Sequence, residues 1–241
     1  EAALLAARDK KRSIDMDDFE EAKDKVIMGV QRKSMVLSEK EKETTAYHEA
    51  GHAIVAIRTE GADPVHKITI IPRGRALGVT MQLPMDEKHG YSKPYVEGRL
   101  AILMGGRAAE KVTFDKISTG ALSDLEKVTK QARMMVTTYG LNDKIGNLTY
   151  YDSSGQNEYN FNKPYSEKTA EVIDKEIKGI IEEQYVRAIN ILEENKDKLT
   201  QLAELLLDKE VIFKDNLEQI FGKRPYHKEG LPETAEVLSK D

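Results

Sequence analysis

Apolar positions recur at helical spacing along most of this chain and at strand spacing in only one stretch. Between 39 and 59, Ala46, Ala50, Ala53, Ile54 and Ile57 gather on one side of a wheel turned by about 100° per residue. Ser38 and Glu41 form a capping box at its start, no Pro interrupts it, and Glu60-Gly61-Ala62-Asp63-Pro64 ends it. The period then shortens. Residues 65–71 are β-branched and alternating, Pro72-Arg73-Gly74-Arg75 has turn chemistry, and 77–83 reads as a second strand. This pair predicts a small hairpin or sheet beside the preceding helix. Its edge suits a peptide added as a further strand, and a purely structural ribbon fits the pattern equally well.

Helical patterning resumes near Pro94 and continues through Tyr95, Leu100, Ile102, Leu103 and Met104 to Gly105-Gly106. Two adjacent glycines there imply close backbone approach or a break. Residues 107–112 look helical again. After the Ser118-Thr119-Gly120-Ala121 loop, Ser123 is expected to cap a helix over 124–138, with Leu125, Val128, Ala132, Met135 and Val136 as its apolar face. The stretch 140–164 mixes Gly, Asn, Asp, Ser and Tyr and reads as a long surface loop. From Ser166 a helix of about seven or eight turns carries Ile173, Ile177, Ile180, Tyr185, Ala188 and Leu192 on one face. A second covers 196–207, and a short third covers 214–221, stopped by Gly222. Two helices are expected within 1–30, the second capped by Asp15 or Asp17 and carrying Phe19, Ala22, Val26 and Ile27. The polar tail from Lys223 reads as disordered. The class is therefore mainly α: a helical domain with a small β ribbon, followed by a long C-terminal helical hairpin.

Composition narrows the partners. With 241 residues there is room for one large or two small domains. A net charge of −5 with 33% charged residues gives a solvated, mildly acidic surface and argues against nucleic acid as the partner. The absence of cysteine excludes disulfides and thiolate metal sites. No apolar run approaches the roughly 18 residues of a membrane span, and no signal peptide opens the chain. It starts without Met inside helical patterning and is expected to be a soluble piece of something longer.

The chemistry concentrates in Tyr47-His48-Glu49-Ala50-Gly51-His52. On a helix His52 lies about 40° round from His48, one turn along, so the two imidazoles can converge on one ion. Imidazole ligands with an open position are the catalytic pattern of zinc, and Glu49 stands where a His-Glu-x-x-His hydrolase keeps its general base. Glu49 would take the proton of the attacking water and hand it to the departing amine. Zinc still needs a third protein ligand. A third His ten residues after the first is excluded, because Arg58 stands there and Val55 replaces the Gly of that longer pattern. Glu97 and Glu110 fit by spacing, and Asp124 fits as a carboxylate bordering the buried stripe of Leu125 and Val128. A first-turn Asp also simply favours the helix dipole. One rival is a ring-assembly module with a structural zinc, which would need a fourth ligand from His66, His89 or His227. A small-molecule metallohydrolase is the other.

Several motifs resemble, in order, one family. Ala2-Ala3-Leu4-Leu5-Ala6-Ala7-Arg8, Asp18-Phe19-Glu20 and Arg32-Lys33-Ser34 are similar to the end of the AAA ATPase module of the FtsH family. His48-Glu49-Ala50-Gly51-His52, the run from Ile71 to Gly78, Gly105-Gly106-Arg107-Ala108-Ala109-Glu110, Ser118-Thr119-Gly120-Ala121 and Tyr165-Ser166-Glu167 resemble its peptidase domain. The resemblance implies the end of the ATPase lid over 1–33, a zinc peptidase domain over 34–222, and a tail over 223–241. It implies His48, His52 and Asp124 as zinc ligands and Glu49 as the base. It further implies unfolded polypeptides as substrates and a homo-hexameric ring, anchored by N-terminal segments to the cytoplasmic side of the inner membrane. No Gly-x-x-x-x-Gly-Lys-Ser/Thr phosphate loop occurs here, so ATP would serve only a part of the protein outside this chain.

Overall fold

A computed structural model of the chain describes residues 1–223 except 33, 34, 36, 75, 86, 88 and 151–163. The tail expected to be disordered therefore lies, but for Lys223, outside the described residues, as does the middle of the 140–164 loop. The described residues form eight α-helices and one three-stranded sheet. The helices are α1 (Ala2–Arg8), α2 (Met16–Met28), α3 (Glu39–Arg58), α4 (Lys93–Phe114), α5 (Leu122–Thr137), α6 (Glu167–Glu194), α7 (Lys196–Lys209) and α8 (Lys214–Phe221). The strands are β1 (Val65–Thr69), β2 (Val79–Gln82) and β3 (Val211–Phe213).

The central helix is α3. Its N-cap Ser38 accepts from the Glu41 amide, and the Glu41 carboxylate accepts from the Ser38 amide, the reciprocal pair expected from the sequence. Every residue from His48 to Ile57 is buried, because α4, α7 and the sheet close round the helix. The apolar back expected from the wheel is present, and its polar front is covered as well. Gly51 and Gly105 explain how α4 comes so near: a Cβ at Gly51 would lie 2.4 Å from the Gly105 carbonyl oxygen and 2.5 Å from the Ala109 Cβ. The glycine pair thus marks a close crossing inside one unbroken helix rather than a break.

The sheet has order β2-β1-β3, antiparallel throughout. Ile68 faces Thr80 on one neighbour and Ile212 on the other, and no strand among the described residues pairs with the outer edge of β2. The apolar faces of α6 and α7 join those of α3, α4 and α5 in one core through Ile173, Ile177, Leu192, Leu199, Leu202 and Leu206.

Two expectations change. Ser123 does not cap α5: a 3₁₀ turn at Thr119–Ala121 runs straight into the helix, so Ala121 takes the N-cap position and Ser123 falls in the first turn. On α2, Phe19, Val26 and Ile27 are exposed, while Asp18, Ala22 and Asp24 are buried. The polar flank docks because Asp24 meets Lys67 of β1 and lies 3.4 Å from the Arg73 guanidinium, which gives a buried carboxylate the cations it needs.

Candidate metal centre

The two histidines of α3 present rings at 4.8 Å between centroids and 75° to one another, on the side of the helix facing α4 and α5. Each Nδ1 is engaged by a group that can only accept a hydrogen bond. His48 Nδ1 lies 2.8 Å from Glu110 Oε1, and His52 Nδ1 lies 2.7 Å from the carbonyl oxygen of Ile102. A carboxylate and a carbonyl have no proton to give, so each Nδ1 carries the shared hydrogen. Both Nε2 atoms are then oriented toward the remaining space. There Asp124, brought in by the first turn of α5, places Oδ2 at 3.4 Å from His48 Nε2 and 3.5 Å from His52 Nε2.

One ligand atom from each of His48, His52 and Asp124 lies within 4.8 Å of the other two. Ligands bound tetrahedrally at zinc distances stand about 3.4 Å apart, so the two histidine–aspartate spacings fit that ion. The donor set, two imidazoles and a carboxylate oriented by outer partners, is chemically a catalytic zinc set. Among the described residues the group consists of these three, and an ion held by them would keep a position for solvent or substrate. His66 sits 3.4 Å from the Lys23 ammonium and His89 is exposed in its loop; His227 is outside the described residues. The closed site required by a structural-zinc module is therefore not assembled from His66 or His89.

Burial opposes charge on His48, yet the facing carboxylates of Asp124 and Glu110 overcome it and push its pKa up to about 10. Burial likewise opposes charge on Asp124, and the His48 and His52 rings hold its carboxyl well below the usual range. Glu110 is lowered in spite of its burial by His48 and by the Ser118 hydroxyl and amide. A bound metal ion would take up the role that protons fill between these groups.

Glu49 is buried beside the pair, near enough for its charge to favour His48 imidazolium. Its Oε2 accepts a hydrogen bond from the Thr80 hydroxyl on β2 at 2.7 Å. Gly106 of α4 clears the space for the His48 ring, since a Cβ there would lie 2.3 Å from Nε2. Of the carboxylates suggested by spacing, Glu97 stays half-buried outside the group, and Glu110 sits behind His48 rather than in front of it. Sequence reasoning missed the supporting roles of Glu110, Thr80 and Gly106. Only the glycine pair gave a signal, as close approach.

A sequence model described as peptidase family M41 matches residues 35–220. The ATP-dependent zinc metalloprotease FtsH of Magnetococcus marinus is 48% identical over 229 residues, which cover 93% of this chain and 34% of that protein. The ATP-dependent zinc metalloprotease FtsH of Parabacteroides distasonis is 48% identical over 226 residues, 94% of this chain and 33% of its own length. The ATP-dependent zinc metalloprotease FtsH 3 of Symbiobacterium thermophilum is 46% identical over 234 residues, 93% and 37%. The chain thus spans about a third of the length of the curated relatives it matches.

Proposed function

This chain belongs to peptidase family M41, and from that premise we propose that it is the zinc-dependent endopeptidase portion of a longer ATP-dependent protease acting on unfolded or misfolded membrane and cytosolic proteins. One observation carries the reading: His48, His52 and Asp124 converge beside a buried Glu49 of α3 whose carboxylate is held by Thr80 of β2. We take these three as the metal ligands and Glu49 as the general base. When bound, zinc supplies Lewis acidity that brings water's pKa near neutrality and polarises a peptide carbonyl. Glu110 and the Ile102 carbonyl fix the tautomer and tilt of the two imidazoles. Glu49 accepts the proton of the attacking water and returns it to the leaving amine nitrogen. The outer edge of β2, beside Glu49, offers main-chain groups that would hold an extended substrate as an added strand.

The motif resemblance to the FtsH family supports the rest of the proposal. Residues 1–33 would close an ATPase lid, 34–222 would form the peptidase, and ATP would be used outside this chain. Among the described residues no helix is long and apolar enough to cross a membrane. Anchoring at the cytoplasmic face of the inner membrane would belong to N-terminal segments of the longer protein. Six copies would form the ring.

The test is Glu49→Gln. The amide keeps the shape of the side chain while it cannot accept the water's proton. Zinc content and fold should match the parent protein, and cleavage of casein or an unstructured peptide should be lost, with nucleotide making no difference to the parent's rate. Residual cleavage near the parent level would remove Glu49 from the base role.

A further inference from the structure

A general base must hold its carboxylate at one angle, and Glu49 carries a side chain with three rotatable bonds. What holds it comes from β2. Thr80 Oγ1 lies 2.7 Å from Glu49 Oε2 and 3.0 Å from the main-chain oxygen of the same residue. The hydroxyl has one hydrogen for these two acceptors, and the charged one at the shorter distance makes the stronger bond. Two residues earlier, on the same face of the extended chain, Gly78 leaves the other side of the carboxylate open. A Cβ at Gly78 would lie 2.7 Å from Glu49 Cγ and 2.8 Å from Oε1. Thr80 itself is fixed in register opposite Ile68, a fully buried residue of the central strand. Oε1 has no hydrogen-bond partner among the described residues, so one carboxylate oxygen is tied and the other is left to accept a proton.

We propose that Thr80 is the positioning residue of the catalytic base: its hydroxyl pins Oε2 of Glu49 so that Oε1 faces the reacting water, with Gly78 giving the carboxylate room. This rests on the peptidase reading above. The competing role is a strut, in which the same hydroxyl merely ties β2 to the α3 main chain.

Thr80→Val removes the hydroxyl, keeps the branched shape and suits a strand. Thr80→Ser keeps the hydroxyl. Both are compared, zinc-loaded, with the parent protein and with Glu49→Gln on an internally quenched unstructured peptide. Thr80→Val should lower kcat by about 10- to 100-fold, as losses of outer-shell partners do, with KM held within about twofold. One zinc per chain and the parent's Tm should be retained, and Thr80→Ser should recover most of the rate. A crystal structure of zinc-loaded Thr80→Val should show the Glu49 carboxylate displaced or in several conformers. Unchanged kcat in Thr80→Val, equal slowing in Thr80→Ser, loss of Tm or zinc in step with rate, or an unmoved carboxylate each overturns the proposal. If Thr80→Val does not fold, the same measurements are read on Thr80→Ala. If the parent cleaves nothing, or Glu49→Gln cleaves as fast, it is the peptidase reading that fails. The crystallographic comparison then decides by itself whether Thr80 orders Glu49.

Discussion

Two carboxylates approach His48, and their geometry separates their work. Glu110 is nearly solvent-free and both its oxygens are engaged, Oε1 with His48 Nδ1 and Oε2 with the Ser118 amide at 2.7 Å. Asp124 instead stands almost equidistant from the two Nε2 atoms. That geometry supports the proposed ligand role for Asp124 and an orienting role for Glu110. Asp124→Ala should bring zinc well below one per chain and abolish cleavage. Glu110→Ala should still take one zinc, bound about 10- to 100-fold more weakly, and Glu97→Ala should bind as the parent does. Metal analysis with a competitive zinc titration checks all three; a full equivalent of zinc in Asp124→Ala with activity intact would end the assignment. The His-Glu-x-x-His set was legible because helical spacing alone puts those rings together. Asp124 was not, since it lies 76 positions beyond His48 and no periodicity links them. Only the resemblance selected it over Glu97 and Glu110.

Between elements, the site depends on how closely α4 and β2 press on α3. Glycines 51, 105 and 106 permit the α3–α4 crossing, and the sequence signalled it as two possibilities, approach or break. What it could not signal is which flank of α2 faces inward. Periodicity favours Phe19, Val26 and Ile27, and these are the exposed ones, at 54%, 71% and 60%. Asp24 overrides them because a long-range partner, Lys67, lies 43 positions away on β1 and is buried too. Asp24 Oδ1 has no hydrogen-bond partner among the described residues, so the carboxylate depends on Lys67 and Arg73 through Oδ2. Breaking such a buried pair from one side leaves uncompensated charge and costs about 3–5 kcal/mol. Asp24→Asn should lose stability on that scale in urea unfolding. Lys67→Met added to it should recover part of the loss, because the second charge is then no longer buried alone. Additive losses in the double variant would show that the pair is not coupled.

At the scale of the molecule, the helical architecture was readable from period and caps, and the third strand was not. β3 has three residues, too few for an alternating pattern, and exists because Ile212 meets Ile68 across the sheet. The apolar stripes of the C-terminal helices bear on assembly. Ile173, Ile177, Ala188, Leu192, Leu199, Leu202 and Leu206 are all buried within the one chain, so these faces are already occupied by the protomer's own core. They are therefore not available as contacts between protomers. Exposed apolar residues stand outside these stripes, among them Leu4, Met16, Phe19, Val26 and Ile27 on α1 and α2, and Ile117 and Leu122 around the 3₁₀ turn before α5. The proposed hexamer must therefore use surfaces outside the α6–α7 stripes. Sedimentation over a concentration series should show a sixfold species growing with concentration in the parent chain. Conservative changes inside the stripes, such as Leu205→Met, should leave that equilibrium where it is, whereas Leu122→Lys should shift it toward monomer if the turn beside the metal centre lines the contact. A strict monomer at the highest concentration would refute assembly by this chain. A hexamer indifferent to Leu122→Lys would remove the turn before α5 from the contact.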